Sequence, residues 1–474
     1  MRKFLAILKK LFFLTPFLIV LIYLIRGIFK HEDFLTYTQD LGLFDQVVWH
    51  LSHFQAPMSS IHPGNFFGEH FMPILYIFVP FYWIMADPKI LIIGEILIFA
   101  IGAIPIYLIA KEKLNSRFAA VCFADAFLLF IGAQHALNYA FHTDALIAGF
   151  LPWIIYFLLH SRHRLYLLFI ILMLFCKENA SIYAIGIGIF ALTFRQYRRI
   201  GFWTIILGGS WFYLTVMLLI PAINGGGHYN FFRYTGLGKD WGDAILNSIK
   251  DPIRVFNVLT NPHEKVKNMI FLFAGVGFLS IFSPRYMVLV LPMLAEKFLS
   301  DYFFLYGLIA HYSVAIGPVI ILSAIQGVKN LSGILQNNFL LEQRTAMIFF
   351  SGGIILFTFG LTAYYRLPIL EAPDLIRKYF KIAEIKNIDE AIRLVPQDAS
   401  VTATGFIASH LARREKINQD IGRLGSDYVL LADGFGIWPY DIKEYPMIKN
   451  NLIQNNEYFI KFQKGNTILF ERKR

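Results

Sequence analysis

The sequence is poor in two kinds of residue that many folded proteins depend on, charged residues and cysteine. Only 16% of its 474 residues are charged, whereas 57% are hydrophobic and 17% are aromatic, and a soluble domain carries about 25% charged residues. This composition is typical of a polytopic membrane protein. The two cysteines, Cys122 and Cys176, lie in apolar runs, so the sequence predicts packing residues and no disulfide framework.

The sequence also lacks the short motifs of several large enzyme classes. It contains no Walker loop, dinucleotide fingerprint, zincin motif or serine elbow. Its formal net charge of +11 would suit nucleic acid, but the positive residues form short clusters between apolar runs. Such clusters are typical of cytoplasmic loops that face anionic lipid, so no nucleic-acid partner is predicted.

The basic clusters also predict the orientation of the chain in the membrane. Four basic residues among the first ten precede an apolar run at about residues 11–29, which predicts a retained first span and a cytoplasmic N-terminus. Residues 71–86 are short for a span and contain two prolines. If they crossed the membrane, the basic cluster at residues 111–117 would lie outside, so the pattern favours an interfacial helix over a crossing one. The chain is then an α-helical protein with about eleven spans, located in the plasma or inner membrane.

The change in composition near residue 366 divides the chain into two predicted domains. Residues 1–365 are predicted to form the transmembrane domain, with a first outer loop at residues 31–88 and a large outer loop at residues 223–268. Residues 366–474 are predicted to form a small extracytoplasmic α/β domain.

Three segments of this second domain have recognisable patterns. Residues 395–417 predict a strand, a turn and a helix, and SDYVLLAD predicts a buried strand. YFIKFQKGNTILFERK predicts a hairpin with Gly465 and Asn466 at its turn. The domain contains no catalytic motif.

The first outer loop is rich in ionisable side chains. Between residues 37 and 75 it carries Asp40, Asp45, His50, His53, His62, Glu69 and His70. The structural alternatives are a helix cap for Asp40 and water-facing positions for Asp45 and Glu69. If residues 41–54 form one amphipathic helix, the five-residue spacing places Asp40 and Asp45 on different faces unless Gly42 breaks the helix.

Two further pairs of ionisable residues lie at the start of an apolar run or inside one. His142 and Asp144 stand at the start of a predicted span, where Asp144 would also serve as a cap. Lys177 and Glu178 lie in the middle of residues 165–194, a run too long for one span, which predicts a hairpin of two short helices. A self-neutralising ion pair is the structural alternative for these two residues.

The ionisable residues are predicted to gather on one side of the membrane. Glu95 and Asp125 lie inside spans, without a partner that the sequence identifies. Eight other ionisable residues fall on or near the outer face, namely Asp40, Asp45, Glu69, His70, His142, Asp144, Lys177 and Glu178. A transporter would place such groups near the bilayer midplane, so this distribution favours surface chemistry over passage.

Several motifs in fixed order resemble an uncharacterised prokaryotic family of polytopic membrane proteins, known as a domain of unknown function. The motifs are DLGLFDQVVW, GEHFMPIL, FHTDAL, FCKENA, RYTGLG from Arg233, LVLPMLAEKFLS, and HYS from His311. That family in turn resembles, distantly, the GT-C glycosyltransferases, which use polyprenyl-phosphate-linked sugars. The matching positions are Asp40 early in the first outer loop, His70 ahead of Pro73 and Asp144 ahead of Leu146. The sequence departs from the GT-C pattern in having Leu41 after Asp40 and histidine at position 70.

The resemblance implies a GT-C-like fold and transfer of a sugar, with inversion, to a glycan, lipid or protein acceptor at the outer face. Asp40 would act as general base, while Asp45 or Asp144 would orient the acceptor or a divalent metal, for which Asp40 and Asp144 are the candidate ligands. His70, Lys177 and Arg233 would neutralise the leaving phosphate. The remaining candidates for substrate binding are Glu69, His142, Glu178 and His311. The alternatives are a transporter or lipid flippase, and a membrane scaffold that displays the C-terminal domain.

Overall fold

A computed structural model describes residues 2–227, 229–339, 342–371, 382–423, 425–433, 440 and 443–473. Up to residue 371 these residues are almost entirely helical. The helices of this part are α1 (Arg2–Glu32), α2 (Leu43–Ser52), α3 (Val79–Ile84), α4 (Lys89–Ile101), α5 (Ala103–Leu114), α6 (Arg117–Leu128), α7 (Ile131–Tyr139), α8 (Thr143–Leu159), α9 (His163–Leu174), α10 (Ala180–Leu192), α11 (Arg198–Phe212), α12 (Ile220–Ile223), α13 (Trp241–Lys250), α14 (Pro252–Thr260), α15 (His263–Ala274), α16 (Pro284–Phe298), α17 (Phe303–Tyr306), α18 (Gly317–Phe339) and α19 (Gln343–Tyr364).

Within the described residues, five helical segments are long and apolar enough to cross a membrane. They are Leu11–Glu32, Lys89–Leu114, Arg195–Ile223, Phe303–Asn338 and Gln343–Tyr364. Helices α6 and α7 together form a sixth candidate that is bent by 45°. Shorter apolar helices, including α8, α9 and α10, lie among these segments. The chain is therefore a multi-pass membrane protein by composition and length, and the count of eleven spans stays a prediction.

Residues 165–194 and residues 71–86, whose lengths do not suit a single membrane span, fold in different ways. Residues 165–194 fold as the helices α9 and α10 with Lys177 and Glu178 in the turn between them, as the sequence predicts. Residues 71–86 form a 3₁₀ segment, Pro73–Phe78, followed by α3. At about 1.5–2 Å per residue this pair is about 20 Å long, which is too short for a hydrocarbon core of about 30 Å.

A close approach of two helices positions the start of α8. A Cβ atom added to Gly149 of α8 would lie 2.0 Å from the carbonyl oxygen of Ile98 in α4, so only glycine permits this contact. One turn away, Glu95 of α4 is buried and accepts a hydrogen bond from the backbone N–H of His142, 3.0 Å away. The packing of α4 against α8 therefore fixes the residue that precedes α8.

The C-terminal part contains a mixed sheet with one short helix and two longer ones. Its elements are α20 (Ile382–Arg393), β3 (Val401–Ala403), α21 (Gly405–Ala408), β4 (Ile417–Asn418), β5 (Tyr428–Ala432), α22 (Glu444–Gln454), β6 (Tyr458–Lys464) and β7 (Thr467–Arg472). The strand order is β4-β3-β5-β7-β6, with β4, β3 and β5 parallel and β7 and β6 antiparallel. A separate two-stranded ladder pairs β1 (Met58–Ser59) with β2 (Gly64–Asn65) in the first loop.

The structure confirms two of the three patterns read from this domain and corrects the third. Every residue of β5 is buried, and β6 and β7 form the hairpin, with Gly465 at a φ of +56° in its turn. The helix expected to end near residue 417 is shorter, because α21 ends at Ala408. The residues that follow α21 pack irregularly against the first loop instead.

The C-terminal sheet rests directly on the first loop. Gln46 of α2 donates a hydrogen bond to the carbonyl oxygen of Arg414 at 2.9 Å, and Ser60 donates one to that of Ile417 at 2.9 Å. The ring of Phe34 packs into the core formed by β3, β5 and α20. The loop and the sheet domain therefore share buried contacts, and residue 366, the predicted domain boundary, lies close to residues 372–381, which are outside the described residues.

Candidate active site

Asp40 and Asp45 point in different directions from the start of α2. Residues Thr38–Gly42 form a π-helical turn ahead of α2. Asp40 lies in this turn with its Oδ1 atom 3.2 Å from Nε2 of His142, and its side chain is 18% exposed. Asp45 is fully buried, where Tyr82 donates a hydrogen bond to it at 2.8 Å and Arg413 lies 3.6 Å away. The structure therefore separates the two carboxylates.

A pair of stacked histidines connects Asp40 with Asp144. The rings of His142 and His311 lie 3.5 Å apart at an angle of 14°. His311 belongs to the 3₁₀ segment His311–Ile316, and its Nε2 atom is 3.8 Å from Oδ2 of Asp144. Asp144, in the first turn of α8, is 1% exposed. Its other neighbour is Lys177, with Nζ 3.6 Å from Oδ2.

Lys177 and Glu178 have different ion-pair partners. Burial alone would lower the pKa of Lys177, but the adjacent Asp144 carboxylate outweighs it and the pKa is raised. Glu178 accepts hydrogen bonds from Nδ1 of His70 at 2.8 Å and from the Tyr229 hydroxyl at 2.9 Å. Burial would raise the pKa of Glu178, but His70 outweighs that effect and lowers it to about 2. Both side chains of the turn are therefore ionised at neutral pH.

A second ion pair lies on the other side of the same turn. Glu296 and Lys297, near the end of α16, are 2.7 Å apart and buried. Asn179 and Tyr183 donate hydrogen bonds to the Glu296 carboxylate at 3.1 and 3.2 Å. Sequence reasoning did not single out this pair, although adjacent charges at the end of an apolar run carry the same signal as Lys177 and Glu178.

These groups surround a cavity of about 110 Å³, called here the polar cavity. Charged side chains and aromatic rings make up most of its wall. Its lining residues are His70, Lys177, Glu178, Asn179, Ile182, Phe212, Val216, Tyr229, Phe231, Arg233, Tyr234, Trp241, Glu296, Tyr302, Leu305 and Tyr312. The Arg233 guanidinium lies over the rings of Phe231 and Tyr302, 5.5 and 5.6 Å from their centroids.

Several buried polar atoms around the polar cavity and the stacked histidines have no hydrogen-bond partner within the described part of the chain. They are Glu178 Oε2, Asn179 Oδ1, Asp144 Oδ1, His142 Nδ1 and His311 Nδ1. Leaving one such atom unpaired costs about 1–3 kcal/mol. Their concentration in one region indicates a place where water or a polar ligand completes the hydrogen bonds.

The other ionisable residues of the first loop lie apart from the polar cavity lining. Glu69 pairs with Nδ1 of His62 at 2.9 Å, and both side chains are partly exposed. The hydrogen bond that His62 donates to the Glu69 carboxylate raises the pKa of His62. Burial would raise the pKa of Glu69, but the contact with His62 lowers it. His50 bonds to Gln55, and His53 to the carbonyl of Trp49.

The two carboxylates predicted inside spans both have partners. Glu95 accepts the hydrogen bond from the backbone N–H of His142, as described above, and thus positions this residue of the candidate site. Asp125 of α6 accepts a hydrogen bond from Thr15 of α1 at 2.6 Å. Asp125 therefore joins two helices, whereas Glu95 positions a residue of the candidate site.

The donor set does not fit a divalent metal. Among the described residues, no group of three or more His, Cys, Asp or Glu side chains is placed to hold a metal ion. Of the two candidate ligands, Asp144 already faces the Lys177 ammonium and Asp40 faces an imidazole. A cation beside Asp144 would meet a like charge within a few ångströms.

The polar cavity is separate from the opposite basic region. A pocket lined by Lys113, Phe194, Arg285 and other residues lies near the basic clusters that were predicted to be cytoplasmic. Within the described residues it shares no lining residue with the polar cavity.

Comparisons with known proteins agree with this architecture. The family model described as Predicted membrane protein (DUF2079) matches residues 30–457. The solved structure of ArnT from Cupriavidus metallidurans bound to undecaprenyl phosphate is similar, with a TM-score of 0.51, 10% identity, and coverage of 98% of this chain and 97% of that one. ArnT from the same organism in the apo state has a TM-score of 0.51 and 11% identity, covering 98% of each chain. Among curated proteins, none matches. The ArnT-like fold confirms the predicted GT-C-like fold class.

Proposed function

The chain belongs to the family described as Predicted membrane protein (DUF2079), and from the geometry of its site we propose that it is an inverting glycosyltransferase. In this proposal a sugar moves from a polyprenyl-phosphate carrier to a glycan, lipid or protein acceptor at the outer face of the membrane. The observation that carries the proposal is the continuous set of contacts from Asp40 through His142, His311 and Asp144 to Lys177, which ends at the polar cavity.

Asp40 is the proposed general base. It is the carboxylate of the set that solvent reaches, at 18% side-chain exposure against 1% for Asp144. An acceptor hydroxyl oxygen attacks the anomeric carbon as the bond from that carbon to the phosphate oxygen breaks. The hydroxyl proton passes to Asp40, and the bonding electron pair leaves with the polyprenyl phosphate. A single displacement of this kind inverts the anomeric centre.

The cations of the polar cavity are the proposed site of the leaving phosphate. Lys177 and Arg233 line it, and His70 contributes an imidazole. Negative charge develops on the phosphate oxygen during transfer, so fixed positive groups stabilise the transition state more than the ground state. The undecaprenyl phosphate bound to ArnT in a similar fold supports a lipid phosphate as the ligand.

The geometry supports a division of roles among the three candidate catalytic carboxylates. Asp144 contacts Lys177 and His311, so we assign it to holding these two side chains. Asp45 contacts Tyr82 and Arg413, so we assign it to docking of the C-terminal domain. Among the described residues, the polar cavity and the pocket near Lys113 and Arg285 have no lining residue in common, so these two pockets give the transport alternative no direct support.

Profiling of glycans and lipid-linked sugars in cells that make the protein tests this function. The strains to compare carry wild type, a deletion, Asp40→Asn or Asp144→Asn, with the amount of membrane-inserted protein measured in each. Loss of one sugar modification, with accumulation of its lipid carrier, is expected for the deletion and for both substitutions. The exposed carboxylate Asp398 provides a matched control, since Asp398→Asn should leave the profile unchanged.

Two outcomes would contradict the proposal. One is a deletion strain whose glycans and lipid-linked sugars match those of the wild type. The other is wild-type profiles in both Asn variants at normal protein levels, which would show that these carboxylates have no part in the reaction.

A further inference from the structure

Helices α13 and α14, in the large loop after α12, carry an apolar stripe that no part of the described chain covers. The exposed fractions are 61% for Ile245, 73% for Ile249, 74% for Ile253 and 64% for Phe256. Ile245 and Ile249 lie one turn apart on α13, and Ile253 and Phe256 lie one turn apart on α14. Each helix therefore carries one part of the stripe, on either side of the break at Asp251.

The orientation of these helices is the reverse of that in a soluble protein, where the apolar face of an amphipathic helix packs on the core. On α13 the polar side chain faces inward instead, since Asn247 donates a hydrogen bond to the carbonyl of Leu237 at 2.7 Å. Arg254 of α14 likewise donates to the carbonyl of Gly236 at 2.8 Å. The isoleucines of both helices face away from the protein, whereas Asn247, Arg254 and Leu259 face it.

The location of α13 shows what the stripe meets. Its first residues, with Lys239 and Asp240, form one wall of a groove whose other wall includes Val216, Met217 and Pro221. Those three residues belong to the last turns of the candidate span Arg195–Ile223. Leu214, Met217 and Leu218 of that span are themselves exposed apolar side chains. The stripe thus begins at the level where a membrane-facing surface ends.

From these observations we infer that α13 and α14 lie in the bilayer interface, with the stripe among the lipid acyl chains of the leaflet nearest the polar cavity. Amphipathic helices bind there by burying their apolar face at the boundary between headgroups and acyl chains. Lys239 and Lys250, exposed at the two ends of α13, have long side chains that reach lipid phosphates from such a position.

This placement has a consequence for the polar cavity. Trp241, the first residue of α13, lines the cavity, as do Arg233 and Tyr234 in the segment that leads to this helix. A helix pair seated in lipid therefore holds one wall of the cavity at the depth of the headgroups. The inference concerns lipid contact alone and stands whether or not the proposed transferase activity is correct.

Spin-label accessibility in reconstituted protein tests the inference. Single cysteines replace Ile249 and Ile253 on the stripe. Asp243 and Lys250, which lie on another face of α13, serve as controls. The background carries Cys122→Ala and Cys176→Ala, because both natural cysteines are buried. In vesicles of phosphatidylethanolamine and phosphatidylglycerol, the stripe labels are expected to collide several-fold more with oxygen, relative to a water-soluble nickel chelate, than the control labels.

Equal nickel accessibility at stripe and control positions would overturn the inference. Dipolar broadening between labels on different molecules would also overturn it, because a second copy would then cover the stripe. Gel filtration of each labelled variant checks the fold. If either stripe variant fails this check, labels at Ile245 and Phe256 replace it and are judged by the same comparison.

Discussion

Lys177 connects the two regions of the candidate site, the stacked histidines with Asp144 and the polar cavity. It pairs with Asp144 at 3.6 Å and lies over the Tyr312 ring, 5.3 Å from the centroid. Asp144 contacts the stacked histidines, and Tyr312 lines the polar cavity. A single ammonium group thus contacts Asp144, which reaches the proposed base Asp40 through the stacked histidines, and also faces the proposed phosphate site.

We predict that stability and activity separate when this pair is altered. Lys177→Met should leave the Asp144 carboxylate buried without its cation, at a cost of about 3–5 kcal/mol in unfolding free energy. Adding Asp144→Asn should recover most of that loss, because it removes the unpaired charge. Both variants should lack transfer activity. Thermal unfolding and sugar profiling of the two variants check this, and an active double variant would show that the pair is structural.

Asp45 should give the protein a pH-dependent stability. Burial is the main cause that raises the pKa of Asp45 from 3.8 to about 6, against the opposing effects of Arg413 and Tyr82. The folded state therefore binds the proton more tightly than the unfolded chain does. Its stability should fall as pH rises from about 4 to 6, by an amount on the order of 3 kcal/mol.

Thermal unfolding from pH 4 to 7.5 measures this effect. Asp45→Asn cannot ionise, so its melting temperature relative to wild type should increase over the same interval. A constant difference between the two proteins across this range would show that Asp45 does not hold its proton when buried.

At the residue scale, the sequence revealed charges but not the surfaces around them. Lys177 and Glu178 stood out because ionised groups in an apolar run are costly. The five-residue spacing correctly separated Asp40 from Asp45. The aromatic wall of the polar cavity, such as Tyr229, gave no comparable signal, because aromatic residues are abundant throughout the chain.

At the scale of elements, the contact of α4 with α8 is the one on which the position of His142 depends. We predict that Gly149→Ala forces these helices apart, because the added methyl group would overlap the backbone of Ile98. The expected loss is about 1–3 kcal/mol of unfolding free energy, with reduced activity as Glu95 is drawn away from His142. Melting temperature and sugar profiling are the measurements.

Gly353 of α19 provides the matched control. An added Cβ there meets nothing within 4 Å, so Gly353→Ala should be neutral or slightly stabilising in a helix. If both alanine variants behave alike, the close approach of α4 and α8 does not set the geometry of the site.

Element prediction succeeded where a pattern was local and failed where partners came from far along the chain. Length and flanking charges predicted the hairpin α9–α10, and strand alternation with Gly465 predicted the hairpin β6–β7. The outward stripe of α13 and α14 was missed, because the sequence indicated only a large outer loop at residues 223–268. Its isoleucines are regularly spaced, but which way they face depends on backbone carbonyls that accept bonds from Asn247 and Arg254.

At the scale of the whole molecule, Gln46 connects the first loop with the C-terminal sheet. It bonds Ser60 and Arg414 through its amide nitrogen and Ser59 and Ser60 through its oxygen, at 2.9–3.0 Å. Gln46→Leu removes these hydrogen bonds, which should lower the free energy that holds the C-terminal sheet on the first loop by about 3 kcal/mol. Faster trypsin cleavage after Arg414 and Lys416 is the expected result.

Gln454→Leu is the control for this experiment, because Gln454 is exposed on α22. Its cleavage rate should equal that of the wild type. Unchanged cleavage in Gln46→Leu would mean that other contacts are sufficient to hold the two parts together.

The burial of Phe34 among β3, β5 and α20 limits how this protein can be divided into fragments or combined with relatives in chimeras. A fragment beginning after the last membrane helix would lack a core side chain, and would leave a hole the size of a phenyl ring in its sheet packing. Such a fragment is a poor choice for separate expression. For the same reason, a chimera that exchanges the sheet domain between relatives should carry the segment around Phe34 along with it.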